Sequence, residues 1–97
     1  MAMRPLFYVD FNELMEFNVA LLSQTDIKKD INGNAVRLME GLSIAIISDD
    51  IGADGKPDNL VADGVVIPNK YTGSFPHVKW CCLISPEGIR HQSDLIG

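Results

Sequence analysis

Apolar residues in this chain come in short runs, and each run gives way to a cluster rich in Gly, Asn, Asp or Pro. The runs are "DFNELMEF", "NVALLSQ", "NAVRL", "LSIAIIS", "LVADGVVI", "VKWCCLI" and "IRHQS", separated by segments such as "DINGN", "MEG", "DDIGADGKPDN", "PNKYTGSFP" and "SPEG". Short runs at this spacing predict a small all-β sheet or barrel. No long helical segment stands between them, which argues against a parallel βαβ arrangement.

The clearest strand is Leu42 to Ser48, with Leu42, Ile44 and Ile46 on one face and Ser43, Ala45 and Ile47 on the other. Leu60 to Ile67 is the next, because Val65, Val66 and Ile67 favour the pleated state. Its Gly64 suits a bulge or a sharp bend, and Pro68 ends it. Val78 to Ile84 would carry Val78, Trp80, Cys82 and Ile84 on one face. "SPEG" supplies a type I turn with Gly88 in the left-handed bulge position, and Asn32-Gly33 is a second hairpin signal.

The N-terminal third allows two readings. Phe11, Leu14, Met15, Val19 and Leu22 fall at offsets 0, 3, 4, 8 and 11, a helical stripe. Asp10 can cap it, with Glu13 near its positive end. Either one helix runs from Phe11 to Leu22, or a short helical turn precedes a strand from Val19 to Gln24. The second is preferred, because the other strands need partners. The expected fold is therefore mainly β, a small antiparallel barrel or a strongly curled sheet with a short N-terminal helix. The alternative is an α+β fold with one longer N-terminal helix. "EGLSIAIISDD", the loop after it and "LVADGVV" resemble an SH3-like barrel, in which a glycine-led strand is followed by a long loop and another strand. That resemblance concerns fold and implies no function.

At 97 residues the chain is one domain, 1–97, able to bury a core without staples. No apolar run approaches the ~18 residues of a membrane span, and "MAMRPLFYVDF" lacks the continuous apolar core of a signal peptide. The expected setting is cytoplasmic, with no membrane partner. Thirteen acidic against eight basic side chains give a net charge of −5, and the basic residues are scattered. Nucleic-acid binding draws on clustered Lys and Arg, so it is disfavoured.

Three stretches hold candidate chemistry. The first is "SDDIGADGKPDNLVADG", with Asp49, Asp50, Asp54, Asp58 and Asp63. Aligned as an EF-hand, it places Gly52 at position 3 and Val61 at position 12, where oxygen ligands are required. It reads as a long strand connection whose Asp and Gly serve turn geometry, or as a negative patch for a basic partner. The second is Cys81-Cys82 with His77 and His91. Adjacent strand residues face opposite ways, so the two thiols neither bond each other nor converge on one metal. A two-residue turn would set His91 opposite Cys82; a bulged turn would set it opposite Leu83, diagonal to Cys81. The plain alternative is a cysteine used as a small core hydrophobe. The third is "NKYTGSFPHVKW", where Tyr71, Phe75 and His77 are candidates for exposed contacts, while Trp80 belongs to the core.

Nucleotide-loop, zinc-protease and serine-hydrolase motifs are absent from the sequence. The leading expectation is a small non-catalytic module that binds a protein partner or itself, with no metal and no cofactor. The alternatives are a Cys/His-dependent enzyme or metalloprotein, and an RNA-binding small barrel. A binding site shared by the acidic and aromatic loops requires both to meet on one surface.

Overall fold

The computed structural model describes residues 4–11, 14–16, 18–52, 54–70, 73 and 76–92; for residues 15 and 16 it describes the backbone alone. The strands in these residues are β1 (Leu6–Tyr8), β2 (Leu14–Glu16), β3 (Val19–Ser23), β4 (Ile27–Lys29), β5 (Ala35–Arg37), β6 (Ser43–Ser48), β7 (Leu60–Pro68), β8 (Trp80–Ile84) and β9 (Arg90–His91). The main sheet runs β1-β6-β7-β8-β3-β2, with β9 also on β7, and β4 and β5 pair as a separate hairpin. All pairs are antiparallel except β1 with β6. No helix among the described residues is long and apolar enough to cross a membrane.

The connection between β1 and β2 requires this sheet to curl. Laid flat, six strands at about 4.8 Å spacing hold their outermost members about 24 Å apart. Yet β1 and β2 are the outermost members and are joined by residues 9–13 alone. Such a link reaches at most about 21 Å when fully extended. The sheet therefore rolls into a half-barrel with Phe7, Ala20, Leu22, Ile44, Ile46, Ala62, Val66, Cys82 and Ile84 in the core on its concave face. Val36 of β5 and Leu38 just beyond it pack on that core. The hairpin tip is tied to β1 by the Ile31 N–H, which donates to the Leu6 carbonyl at 2.9 Å.

The predicted short N-terminal helix is not seen, and neither is the longer helix of the α+β alternative. Residues 12, 13 and 17 lie outside the described residues, but Leu14–Glu16 is a strand paired with Val19 and Ala20, and Val19–Ser23 pairs with β8. A twelve-residue helix is marginal by itself, so ladder hydrogen bonds on both sides of β3 outweigh the helical stripe. Gly64 makes no bulge, because the register passes through it without a break on both sides. It is instead a point of close approach: a side chain there would meet the Cys82 sulfur and the Leu83 carbonyl. Val78 also departs from expectation. It precedes β8 and packs with Val19 and Cys81 rather than with the main core.

The "SPEG" turn forms as expected, with the Gly88 N–H donating to the Ser85 carbonyl at 2.9 Å and Gly88 at φ 74°. Beyond this turn the chain does not run back along β8. Leu60 faces His91 and Val61 faces Arg90, so β9 continues the line of β8 beside the long strand β7. The Ser85 N–H donates to Asp63 and the Gln92 N–H to Asn59, which frames residues 85–89 as an insertion in one interrupted strand.

Candidate functional site

Register assigns every strand residue to a face. Leu6, Tyr8, Ser43, Ala45, Ile47, Val61, Asp63, Val65, Ile67, Cys81, Leu83, Val19 and Leu21 point to the convex side. Val19 and Cys81 are buried there with Val78, flanked by Leu21 and Ile67. Ile47 is buried as well, and the rest of this face is more open: Leu83 is 37% exposed, Tyr8 58%, and Ala45, Val61 and Val65 are half-buried. A cleft of about 380 Å³ lies along it, lined chiefly by Arg4, Ser43, Asp63, Val65, Leu83 and Pro86. A second cleft, about 430 Å³, adjoins it across Leu83 and Pro86 toward Asn18.

Charge on this face is compensated locally. The Asp63 carboxylate sits between two guanidinium groups, 3.0 Å from Arg4 and 3.6 Å from Arg90. The Ser85 hydroxyl, its own backbone and the positive charge of Arg90 hold the Glu87 carboxyl below the ordinary glutamate range. Sequence reasoning places Asp63 in the acidic loop because its two partners are remote in the chain. Only the strand register brings Arg4, Asp63 and Arg90 together.

The acidic loop is a short two-stranded extension of β6 and β7. Ile51 bridges Pro57, the Gly52 N–H donates to the Lys56 carbonyl at 2.8 Å, and the Gly55 N–H closes a turn on the Gly52 carbonyl at 3.0 Å. Several aspartates are engaged locally. Asp54 accepts from the Lys56 N–H at 3.0 Å, and Asp50 lies 3.1 Å from His91 Nε2. The Asp58 N–H donates to the Asp50 carbonyl at 3.0 Å, and Asp49 is exposed. Ile51 is 67% exposed beside a cleft of about 550 Å³ lined by Asp49, Asp50, Pro57 and Asn59.

Tyr71 and Phe75 lie outside the described residues, and His77 is exposed beside a cleft with Leu21, Gln24, Lys28 and Val78. The described residues 68–70 of the aromatic loop leave the Pro68 end of β7, and the acidic loop enters at its Leu60 end, so these described parts stand at opposite ends of that nine-residue strand. Trp80 packs on the main core, and its indole N–H donates to Asp26 at 3.0 Å. Lys79 lies 2.7 Å from the same carboxylate. Hydrogen bonds from Lys79 and Trp80 hold the Asp26 carboxyl below its usual range. Nothing in the sequence singles Asp26 out, since both partners come more than fifty residues later.

Among the described residues no three metal-ligating side chains cluster. His91 faces Asp50 on the far side of β7 rather than either thiol, which corrects both hairpin registers expected for it. Both cysteines are fully buried, in different clusters on opposite faces, and neither is in a disulfide. Burial pushes the Cys81 thiol up. Burial, with added repulsion from Cys81 and Asp63, pushes Cys82 from an ordinary 9.0 up to about 12. The reactive species of cysteine is the thiolate, and this environment disfavours it.

A raised folded-state value means that the unfolded chain ionises first. The associated stability is complete below pH 9.0 and is lost as pH climbs toward about 12. The urea midpoint is expected to fall across that window, and to fall less steeply in Cys82→Ala. Parallel pH profiles for the two proteins would contradict the assignment. The chain has no match among protein-family models, curated proteins or solved structures.

Proposed function

We propose that the protein is a small non-catalytic interaction module that presents the convex face of its sheet to a protein partner. The observation behind this reading is the composition of that face. An antiparallel sheet with one face in water normally alternates apolar inward and polar outward. Here β7 points Val61, Val65 and Ile67 outward with Asp63 as the sole charged exception, and Leu83 stands beside them. Contiguous exposed apolar surface rimmed by polar groups is characteristic of interaction sites. The SH3-like resemblance of β6, its loop and β7 is compatible with such a role but does not specify a partner.

The Cys/His alternative needs a histidine at a thiol, and the pairing of His91 with Asp50 weighs against it. The RNA-binding alternative rests on Tyr71 and Phe75, which the described residues do not include. The test is sedimentation of the purified chain together with affinity capture, each repeated with Leu83→Lys. Self-association or capture that Leu83→Lys abolishes supports the module. A strict monomer that retains nothing overturns it.

A further inference from the structure

We infer that the partner of the convex face is a second copy of this chain, docked face to face about a twofold axis; this rests on the interaction reading above and names its partner. A twofold contact brings one patch against itself, so the patch must be self-complementary. A patch of one sign would repel its copy. This one carries Arg4 and Arg90 against Asp63 and Glu87, two positive and two negative groups that compensate one another.

The rest of the chain carries the net −5. Much of that excess lies past the Val61 end of the face, away from Arg4, Asp63 and Arg90, through Asp49, Asp50, Asp54 and Asp58 on the β6–β7 extension. Two copies of an acidic protein therefore meet on an area where their like charges do not oppose contact. A rotated copy can offer carboxylate to guanidinium in both directions. A strongly acidic or strongly basic partner gains little from a neutral face, so charge favours the like copy.

Shape and hydrophobicity favour it too. Sheets bury two faces by stacking at about 10 Å, as in sandwiches. The concave face already holds the main core and the β4–β5 hairpin, whereas the convex face has no such layer over Val65 and Leu83 among the described residues. A second sheet supplies it, with Leu83 of each copy entering the cleft beside Val65 and Pro86 of the other.

Sedimentation equilibrium over a wide concentration range is expected to give twice the 10.7 kDa chain mass. Leu83→Lys should weaken the dimer at least about tenfold, as truncating or charging a central interface residue does. Its far-UV circular dichroism should stay unchanged. Ile27→Ser, which alters an exposed apolar residue of the separate β4–β5 hairpin, should leave the dimer intact. A dimer indifferent to Leu83→Lys overturns the placement, as does one broken by Ile27→Ser. A chain that stays monomeric but captures another protein through Leu83 overturns the second copy and leaves the interaction module standing.

Discussion

Gly64→Val is expected to lower stability by about 3 kcal/mol or more, the upper end of what overpacking costs. A Cβ built at Gly64 falls 2.6 Å from the Cys82 sulfur and closer still to the Leu83 carbonyl oxygen. The thiol could turn aside, but the carbonyl belongs to a backbone held on both sides, with Leu83 opposite Val65 in β7 and Val19 in β3. Relief therefore means unzipping the centre of the sheet. Gly64→Ala should already be clearly destabilised, and adding Cys82→Ala should not restore it, because the carbonyl contact remains. At Gly73 an added Cβ meets nothing within 4 Å, so Gly73→Ala should stay within about 0.5 kcal/mol. Urea denaturation of the four variants decides the matter. Equal midpoints for Gly64→Ala and Gly73→Ala would contradict the close pairing of β8 beside β7 at Gly64.

Phe7→Ala is the second large effect, expected to cost about 3–5 kcal/mol. Phe7 is completely buried in a strand of only three residues. The strand's flanks are held to β6 by two hydrogen bonds, Ala45 N–H to the Pro5 carbonyl at 2.9 Å and Val9 N–H to the Ile47 carbonyl at 3.0 Å. The ring therefore anchors β1, and β1 in turn anchors the β4–β5 hairpin through Leu6 and Ile31. In a domain with about 5–15 kcal/mol in total, such a loss is a large fraction. The melting temperature should fall by about 15 °C or more. Tyr8→Ala, on the opposite face, should move it far less. Similar shifts for the two would contradict the burial of Phe7 and the exposure of Tyr8.

Strands β6, β7 and β8 are legible in the sequence nearly to the residue, since Ile44 and Ile46, then Ala62 and Val66, then Cys82 and Ile84 keep strict alternation toward one core. The turns at Gly33 and Gly88 are legible because each needs a positive φ that glycine supplies readily, and both glycines adopt it. Distant pairing governs the features that do not read from sequence. Leu14 and Val19 suit a helix as well as a sheet edge until β8 is known to lie beside β3. Proximity in the chain sets His91 against β8, although β7 is long enough to hold β8 and β9 end to end. The convex face is invisible for the same reason. Val65, Leu83 and Val19 form one row only through two registers, and no local pattern encodes either.

The pairing of β3 with β8 also sets an order of events at the ribosome. Val19, Ala20 and Leu21 lie opposite Leu83, Cys82 and Cys81, about sixty positions later in the chain. At about 5–20 residues per second, roughly 3–12 s separate synthesis of the two halves of that ladder. β6 and β7 can zip together as soon as both have emerged, and β1 gains its partner with them. Through the remaining interval β3 has apolar side chains and no completed ladder, so the nascent chain is most dependent on chaperone protection until Trp80–Ile84 emerges.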